Sequence, residues 1–442
     1  MSMETVTRLR TQLPGLEIGG ALPAVADLQA RALDLHLRQP MPDAKDEEWR
    51  YTPLRALREG TFALGSTAPA EAVPLAGLDQ VRLTFVNGVY EAGLSTGSAE
   101  GLEVMPLETA LADPAIASKL GQLAALEERA FHVSAHRGSL RRPALGALAA
   151  LNTAAFRSGA FLRVAKGARI APVVHLAFLS TGADGPTAVN FPRTLVLADE
   201  GCRFELLETY ASIGDGPAYT NAVTEVFAGP GAHLEHVKLQ IENEATLHTG
   251  HTEVLQERDS TYLGFAVTYG GHTTRNDLNV FLNGQNLHSR IDGVVCLDGH
   301  QHADNHTRLD HAHPNCDSFE VYKHVLAGRS TAVFNGKIFV HQDAQKTDAK
   351  QTNQALLLSR DATMDTKPQL EIFADDVKCT HGATVGQLRQ DALFYLRSRG
   401  LGEAQARAIL VYAFAAEVLE KIRHEGIREA LEAMLYAKLG VE

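Results

Sequence analysis

The feature that most narrows the possible folds is a turn-then-strand unit that recurs through the middle of the chain. Gly201-Cys-Arg-Phe, Gly231-Ala-His-Leu, Asp259-Ser-Thr-Tyr and Gly284-Gln-Asn-Leu follow one another at intervals of 30, 28 and 25 residues. Further units begin at Gly328, Asp343 and Asp361, at intervals of 15 and 18. From about 160 to 380, Val, Ile, Leu, Phe and Thr alternate with polar residues, which is the period of a strand with one face turned inward. Imperfect repeats of this length, rich in strands and free of helical insertions, predict a stacked β-solenoid rather than a sandwich. Each coil of such a stack buries its inner face only against its neighbours.

Both flanks read as helical. Between about 22 and 60, Leu28, Ala32 and Leu35 recur at helical spacing, with Pro23 placed for a first turn. A loop rich in Ala, Gly and Pro follows, and then "VRLTF" and "VYEA" flank Asn87-Gly88, a hairpin signal. Further helix is predicted near 106–126 and 144–156. From about 385 the 3.6-residue period returns in three faces: Leu388, Ala392, Tyr395 and Leu396; Ala406, Ile409, Leu410, Ala413 and Phe414; Ile427, Leu431 and Leu435. Gly400 and Gly426 punctuate them. The expected organisation is a mainly β protein: an N-terminal helical region with a short hairpin over 1–150, a solenoid core over 151–384, and a C-terminal helical domain over 385–442.

Composition excludes several classes of function. The 442 residues are 45% apolar and 21% charged, enough to bury a sizeable core. Lys plus Arg number 41 against 53 Asp plus Glu, a net charge of -12, and no run of Lys and Arg offsets it. Such a surface repels nucleic acid and anionic membranes. Arg8 and Arg10 begin a basic N-terminus, but Asp27 and Arg31 interrupt the first apolar stretch, so no export signal is expected. The longest apolar run, Ile409 to Ala416, falls far short of the ~20 residues of a membrane span. A soluble, cytoplasmic protein is expected. Cys202, Cys296, Cys316 and Cys379 include no C-x-x-C pair and are expected to remain thiols.

Gly336-Lys337 lacks both the upstream glycine and the following hydroxyl of a phosphate-cradling loop, so the chain is not itself a P-loop ATPase. Gly93-Leu-Ser-Thr-Gly97 matches a nucleophile elbow, but a hairpin precedes it and poor helix follows, which makes it a polar turn. Of 19 histidines, 13 lie between His233 and His341. His300, His302, His306, His311 and His313 with Cys316 offer metal-type ligands, and His300 and His302 would share a strand face. The spacing approaches a cupin motif without matching it, leaving a metal-dependent, cupin-like β-fold enzyme as the alternative reading. Asp375-Asp376 are adjacent and point to opposite faces, so they cannot share a substrate atom. Finally, "EIFADDVKCTH" reads as one strand with Phe373, Asp375, Val377, Cys379 and His381 on one face. A thiol and an imidazole from one chain make half of a soft-metal site.

The segments "VFNGKIFV…AQKTDAKQTNQALLLS…MDTKPQLEIFADDVKCTHGATVGQL" and "DALFYLRSRGL…A…VYAFAAEVLEKI", between about 329 and 423, closely resemble the SufB/SufD family of iron–sulfur cluster assembly scaffolds. "DEEWRYTPL", Asp46 to Leu54, looks like its SufD branch, and "FVNG", Phe85 to Gly88, fits as well. The resemblance implies a right-handed parallel β-helix and a non-catalytic scaffold subunit. It implies pairing with SufB through the β-helices and C-terminal helices that hold the SufC ATPase. ATP hydrolysis by SufC would move the two scaffolds and expose a nascent-cluster site at their interface, with sulfur supplied through a cysteine desulfurase system. His381, beside Cys379, matches the histidine that this branch brings to that interface. No tightly bound cofactor is expected in the isolated chain, which would form a homodimer.

Overall fold

The computed structural model describes residues 16, 18, 21–39, 41–66, 70, 72–78, 81–127, 129–132, 139–142, 146–182 and 185–439, with backbone only for 129–132 and 139–142. Arg8 and Arg10 lie outside the described residues.

From Arg193 onward the chain alternates between two sheets, laying one strand in each per coil. The first sheet contains Arg193–Ala198, Ala218–Ala228, Leu247–Gln256, Thr273–Leu282, His302–His311, Thr331–Val340 and Thr363–Ile372 in spatial succession. The second contains Arg203–Ile213, His233–Ile241, Thr261–Thr268, His288–Leu297, Asp317–Leu326, Asp348–Leu357 and Lys378–Gly386. Every pairing along both series is parallel. In the second sheet Arg203 lies beside His233, His233 beside Thr261, Thr261 beside His288, His288 beside Asp317, Asp317 beside Asp348, and Asp348 beside Lys378. One coil therefore takes about thirty residues, the scale of a solenoid repeat.

The repeat read from the sequence is a corner of this solenoid. Gly201, Gly231, Asp259, Asn286, Asn315 and Lys346 all have φ between 57° and 66°. They stack into a ladder in which Gly201 N bonds Pro230 O, Gly231 N bonds Arg258 O, and Lys346 N bonds Asp376 O. Glycine, Asn and Asp tolerate this left-handed backbone, which is why they mark the turns. Gly328 belongs to the opposite corner, where Arg329 N bonds Gly299 O. The intervals of 15 and 18 are thus half-coils, stepping between the two corners.

An apolar core runs between the sheets, from Val81, Phe85 and Val174 through Leu206, Val226, Val254, Ile291 and Leu309 to Ile338 and Ala349. Each outer face has its own cover. Helix α1, Ala26–Arg38, and helix α2, Ala147–Ala155, close the outer face of the first sheet, with Ala32, Ala149 and Ala154 packed on Val223. Helices α3, Gln390–Ser398, α4, Glu403–Leu419, and α5, Glu425–Lys438, lie at the second sheet, where Val411, Val418, Leu419 and Leu431 bury Val237, Phe265 and Val294.

The flanking segments differ from expectation in three details. The hairpin at Asn87-Gly88 is present, with φ of 50° and 76°, but its strand Val81–Val86 also joins the second sheet in parallel beside Val174–Thr181. Region 106–126 holds only two one-turn helices, Leu107–Ala110 and Pro114–Ala117. Gly426 does not separate helices: it lies in the first turn of α5, whose N-cap His424 accepts from Ile427 N through Nδ1 at 3.2 Å.

The faces of α3 and α4 also shift. Leu393, rather than Tyr395, is the buried residue of α3, and α4 buries Ala408, Val411, Ala415 and Val418 while Ile409 is exposed. Helix α4 is apolar nearly all round, so periodicity alone could not select its inner face.

Candidate functional site

The site lies where the solenoid stops. Thr363–Ile372 and Lys378–Gly386 are the terminal strands of the two sheets, and each pairs with a neighbour on one side only among the described residues. Their outer edges present unpaired N–H and C=O groups. Ile372, Phe373 and Val385 are large apolar side chains exposed at this end.

Cys379 and His381 sit near the start of the last strand. Ala349 lies beside Cys379, and Gln351 beside His381. Ala349 belongs to the core between the sheets, so the alternation turns Cys379 and His381 toward the solenoid interior. Among the described residues no further coil covers them. What would be lumen in an earlier coil is here open surface: His381 is exposed, and Cys379 is half-buried against the core. Partial burial pushes the Cys379 thiol up, aided by the nearby Asp348 carboxylate, so it keeps its proton in the free chain. The imidazole is the more exposed of the two side chains, and a thiol ligates a metal only after giving up its proton.

The single strand read over "EIFADDVKCTH" is in fact two strands and a corner. Glu371 and Ile372 end the first-sheet strand, residues 373–377 turn, and Lys378 starts the second-sheet strand. Asp376 anchors the corner: its carbonyl accepts from Lys346 N at 2.7 Å and its carboxylate pairs with the Lys346 ammonium. Phe373 and Asp375 therefore do not share a strand face with Cys379 and His381. The Asp375-Asp376 pair is part of this turn.

The histidine cluster is dispersed. His300 lies in a corner rather than on the strand beside His302. His302 and His306 face outward from the first sheet, while His311 faces inward and bonds Ser318 Oγ at 2.9 Å. Cys316 is in the core. Among the described residues no three His, Cys, Asp or Glu side chains are grouped to hold a metal. A parallel solenoid is also not a cupin barrel. Burial pushes the thiols of Cys202 and Cys296 up to about 12 and that of Cys316 up to about 11, which leaves them inert. Ser95 of the elbow-like sequence is tied to the Glu91 carbonyl at 2.8 Å, in a loop.

His306 has a structural partner instead. The segment carrying "EEWRYT" straps the outer face of the first sheet across several coils. His306 lies 3.2 Å from Glu48 and 3.0 Å from Asp304. Arg275 stands over the Trp49 ring at 4.4 Å, donates to Glu48 O at 2.7 Å, and pairs with Asp304 at 2.8 Å. Thr52 bonds Asp304, and Lys367 of the terminal strand pairs with Glu47.

Sequence reasoning missed a row of polar side chains inside the solenoid, among them His236, Lys238, Glu320, Gln351 and Asn353. Lys238 reaches across to Asn276 Oδ1 at 2.7 Å, into space left by Gly250. Polar residues at alternate positions read as a solvated face unless the glycines opposite them are noticed.

The family model described as "SUF system FeS cluster assembly, SufBD core domain" matches residues 178–414. The chain is 34% identical over 410 residues to the Escherichia coli protein named iron-sulfur cluster assembly protein SufD, covering 91% of this chain and 90% of that one. It is 31% identical to a SufBD family protein of Synechocystis, covering 88% and 86%, and 30% identical to chloroplastic ABCI7 of Arabidopsis thaliana, covering 92% and 84%. With more than half its length matched by the core model and a relative above 30% identity along nearly all of it, the chain belongs to the SufB/SufD family of iron–sulfur cluster assembly proteins.

Proposed function

We propose that this chain is a non-catalytic scaffold subunit that pairs with SufB through the open end of its solenoid and helps build nascent iron–sulfur clusters there. The observation that carries this reading is the terminal coil: two unpaired strand edges, exposed apolar side chains, and Cys379 and His381 in the same opening. A parallel solenoid end is a template for another chain's strand. A cluster held between two chains needs only one or two ligands from each, and a relative rotation of the chains releases it. The cluster is cargo. His381 supplies an imidazole that lets go more readily than thiolate, and Cys379 is its neighbour in reserve.

The second partner is SufC, an ATPase, held by the C-terminal helical domain over 385–442. Support comes from apolar surface left on those helices: Phe394 is 75% exposed, and Tyr395 and Ile409 are exposed as well. ATP binds and is hydrolysed in SufC, and sulfur arrives through the cysteine desulfurase system on SufB. The chain works in the cytoplasm, and without SufB its open ends pair as a homodimer.

The test is to co-purify the chain with SufB and SufC and determine stoichiometry by light scattering. One copy of this chain, one SufB and two SufC is expected. Absence of a complex, with stoichiometric iron or zinc in the chain alone, would overturn the scaffold reading. In the complex, His381→Ala should preserve assembly and lower cluster yield at least about tenfold, the scale of losing a metal ligand's support. A normal yield moves the site elsewhere.

A further inference from the structure

The inward row that ends at His381 continues down the stack as Gln351 and then Glu320, one residue per coil. Gln351 and Glu320 are both buried. Gln351 donates through Nε2 to Glu320 Oε2 at 2.6 Å. An amide that meets an ionised carboxylate must present its NH2, so above about pH 7, where Glu320 has lost its proton, this bond fixes which way the amide faces. The remaining atom, Oε1, is buried and has no hydrogen-bond partner among the described residues. It is a carbonyl oxygen and requires a donor, because an unpaired buried acceptor is costly.

The side chain has little freedom to find a donor elsewhere. It occupies the gap left by Gly336 on the facing strand, where an added Cβ would stand 2.1 Å from Nε2 and 2.6 Å from Cδ. Phe334 borders the same gap. Below it Glu320 is already engaged; above it, in the same row, is His381.

An imidazole that binds metal through one ring nitrogen has its ring orientation set by what the other N–H meets. From this register we infer that Gln351 is a positioning residue: the exposed His381 ring, which makes no bond to Gln351 in the described arrangement, turns inward to donate its ring N–H to the unpartnered Oε1, with Glu320 holding the amide from below. The opposite nitrogen is then the bare one and faces out of the open end. The part concerning metal rests on the reading of His381 as a cluster ligand; the part concerning the ring does not. The ladder Glu320–Gln351–His381 lies wholly within this chain, so the ring is set before any partner arrives.

The test reads the tautomer directly. The intact chain is labelled with 15N in its histidine rings, and the His381 signals are identified by their loss in His381→Gln. A single dominant tautomer is expected in the wild-type chain. Gln351→Leu should release it to the mixture of a free imidazole, and Gln351→Glu, which keeps an acceptor, should restore one tautomer. A wild-type His381 without a preferred tautomer overturns the inference whatever the variants do, as does a preference unchanged in Gln351→Leu.

Cluster yield on the complex with SufB separates the two layers. Gln351→Leu is expected to lower it about tenfold or more, with recovery in Gln351→Glu. A lost tautomer with normal yield in both Gln351→Leu and His381→Ala would uphold the positioning and overturn the ligand reading.

Discussion

The two ends of the solenoid are built from the same repeating chemistry and finished in opposite ways. At the first end both sheets run into antiparallel strands that the chain supplies itself. Leu102–Pro106 closes the first sheet against Ala160–Val164, and the hairpin Val81–Val86 with Val89–Tyr90 closes the second. All six residues of Val81–Val86 are buried, and Phe85 stacks on Phe178 at 5.1 Å. At the last end the sheets simply stop. Phe373 is 58% and Val385 47% exposed, and every residue of Lys378–Gly386 except Cys379 is exposed. A covered end adds stability within the chain, whereas an uncovered end leaves strand edges and apolar side chains facing water. The two open edges are not equivalent either. Thr363–Ile372 contains Pro368, a residue without an N–H, and Lys378–Gly386 contains no proline. The second-sheet edge, which carries His381, is the better template.

This contrast predicts where substitutions cost stability, and the largest effect belongs to the covered end. Glu225 is buried on the outer face of the first sheet, paired with the equally buried Arg193. Its two oxygens also accept from Gly121 N at 2.9 Å, Leu123 N at 2.8 Å and Ala124 N at 3.0 Å. One carboxylate thus neutralises an internal cation and ties the N-terminal cover down. Glu225→Ala leaves the guanidinium buried without a counter-charge and should cost about 3–5 kcal/mol in urea unfolding. A loss under about 1 kcal/mol would mean that the N-terminal cover is not part of the cooperative unit, and the contrast between the ends would fail.

An intermediate effect is expected two coils short of the open end. Burial pushes the Glu320 carboxyl up to about 7, against the bond from Gln351 that favours its ionised form. The folded chain therefore holds this proton in a range where the unfolded chain has released it. Stability falls as pH rises from the ordinary carboxyl range to about 7, and the full penalty is present above that. Glu320→Gln keeps an acceptor for Gln351 and cannot ionise. It should stabilise the chain by about 1–3 kcal/mol at pH 8 and by almost nothing at pH 4. Equal effects at both pH values would show that Glu320 is not a buried ionisable group, and that water from the open end reaches it.

The same contrast explains what could be read without a structure. The corners were legible because a left-handed turn backbone selects Gly, Asn and Asp, and Gly201, Gly231 and Asp259 declare their spacing. The strands were legible through alternation, and the parallel arrangement came with the family resemblance. Cys379 and His381 stood out because a thiol and an imidazole two residues apart on a strand share a face. The corner at 373–377 was missed because Phe373 and Val377 keep a period of two straight through a turn, and the bonds that hold the turn, from Asp376 N to Gln345 Oε1 and from Lys346 N to Asp376 O, reach residues one coil earlier. The inner face of α4 was missed because its apolar residues surround the helix. The ladder beneath His381 was invisible since Gln351 and Glu320 lie far apart in sequence and meet only through register.

The smallest effect on stability belongs to the open end, and it is the most direct probe of what that end is for. Phe373 and Val385 are exposed, so Phe373→Ser with Val385→Ser removes little buried surface and should change unfolding free energy by no more than about 0.5 kcal/mol. Phe373 does touch Phe339, at 5.2 Å between ring centroids, which sets the small remaining cost. The same pair of changes removes apolar area from any assembly that covers the end. Light scattering of the isolated chain at micromolar concentration should show a dimer for the wild type and a shift toward monomer for the double variant, with SufB capture weakened in parallel. If dimerisation and SufB capture are both unaffected while unfolding is also unaffected, the exposed end is a bystander, and the chain must meet its partners through another face.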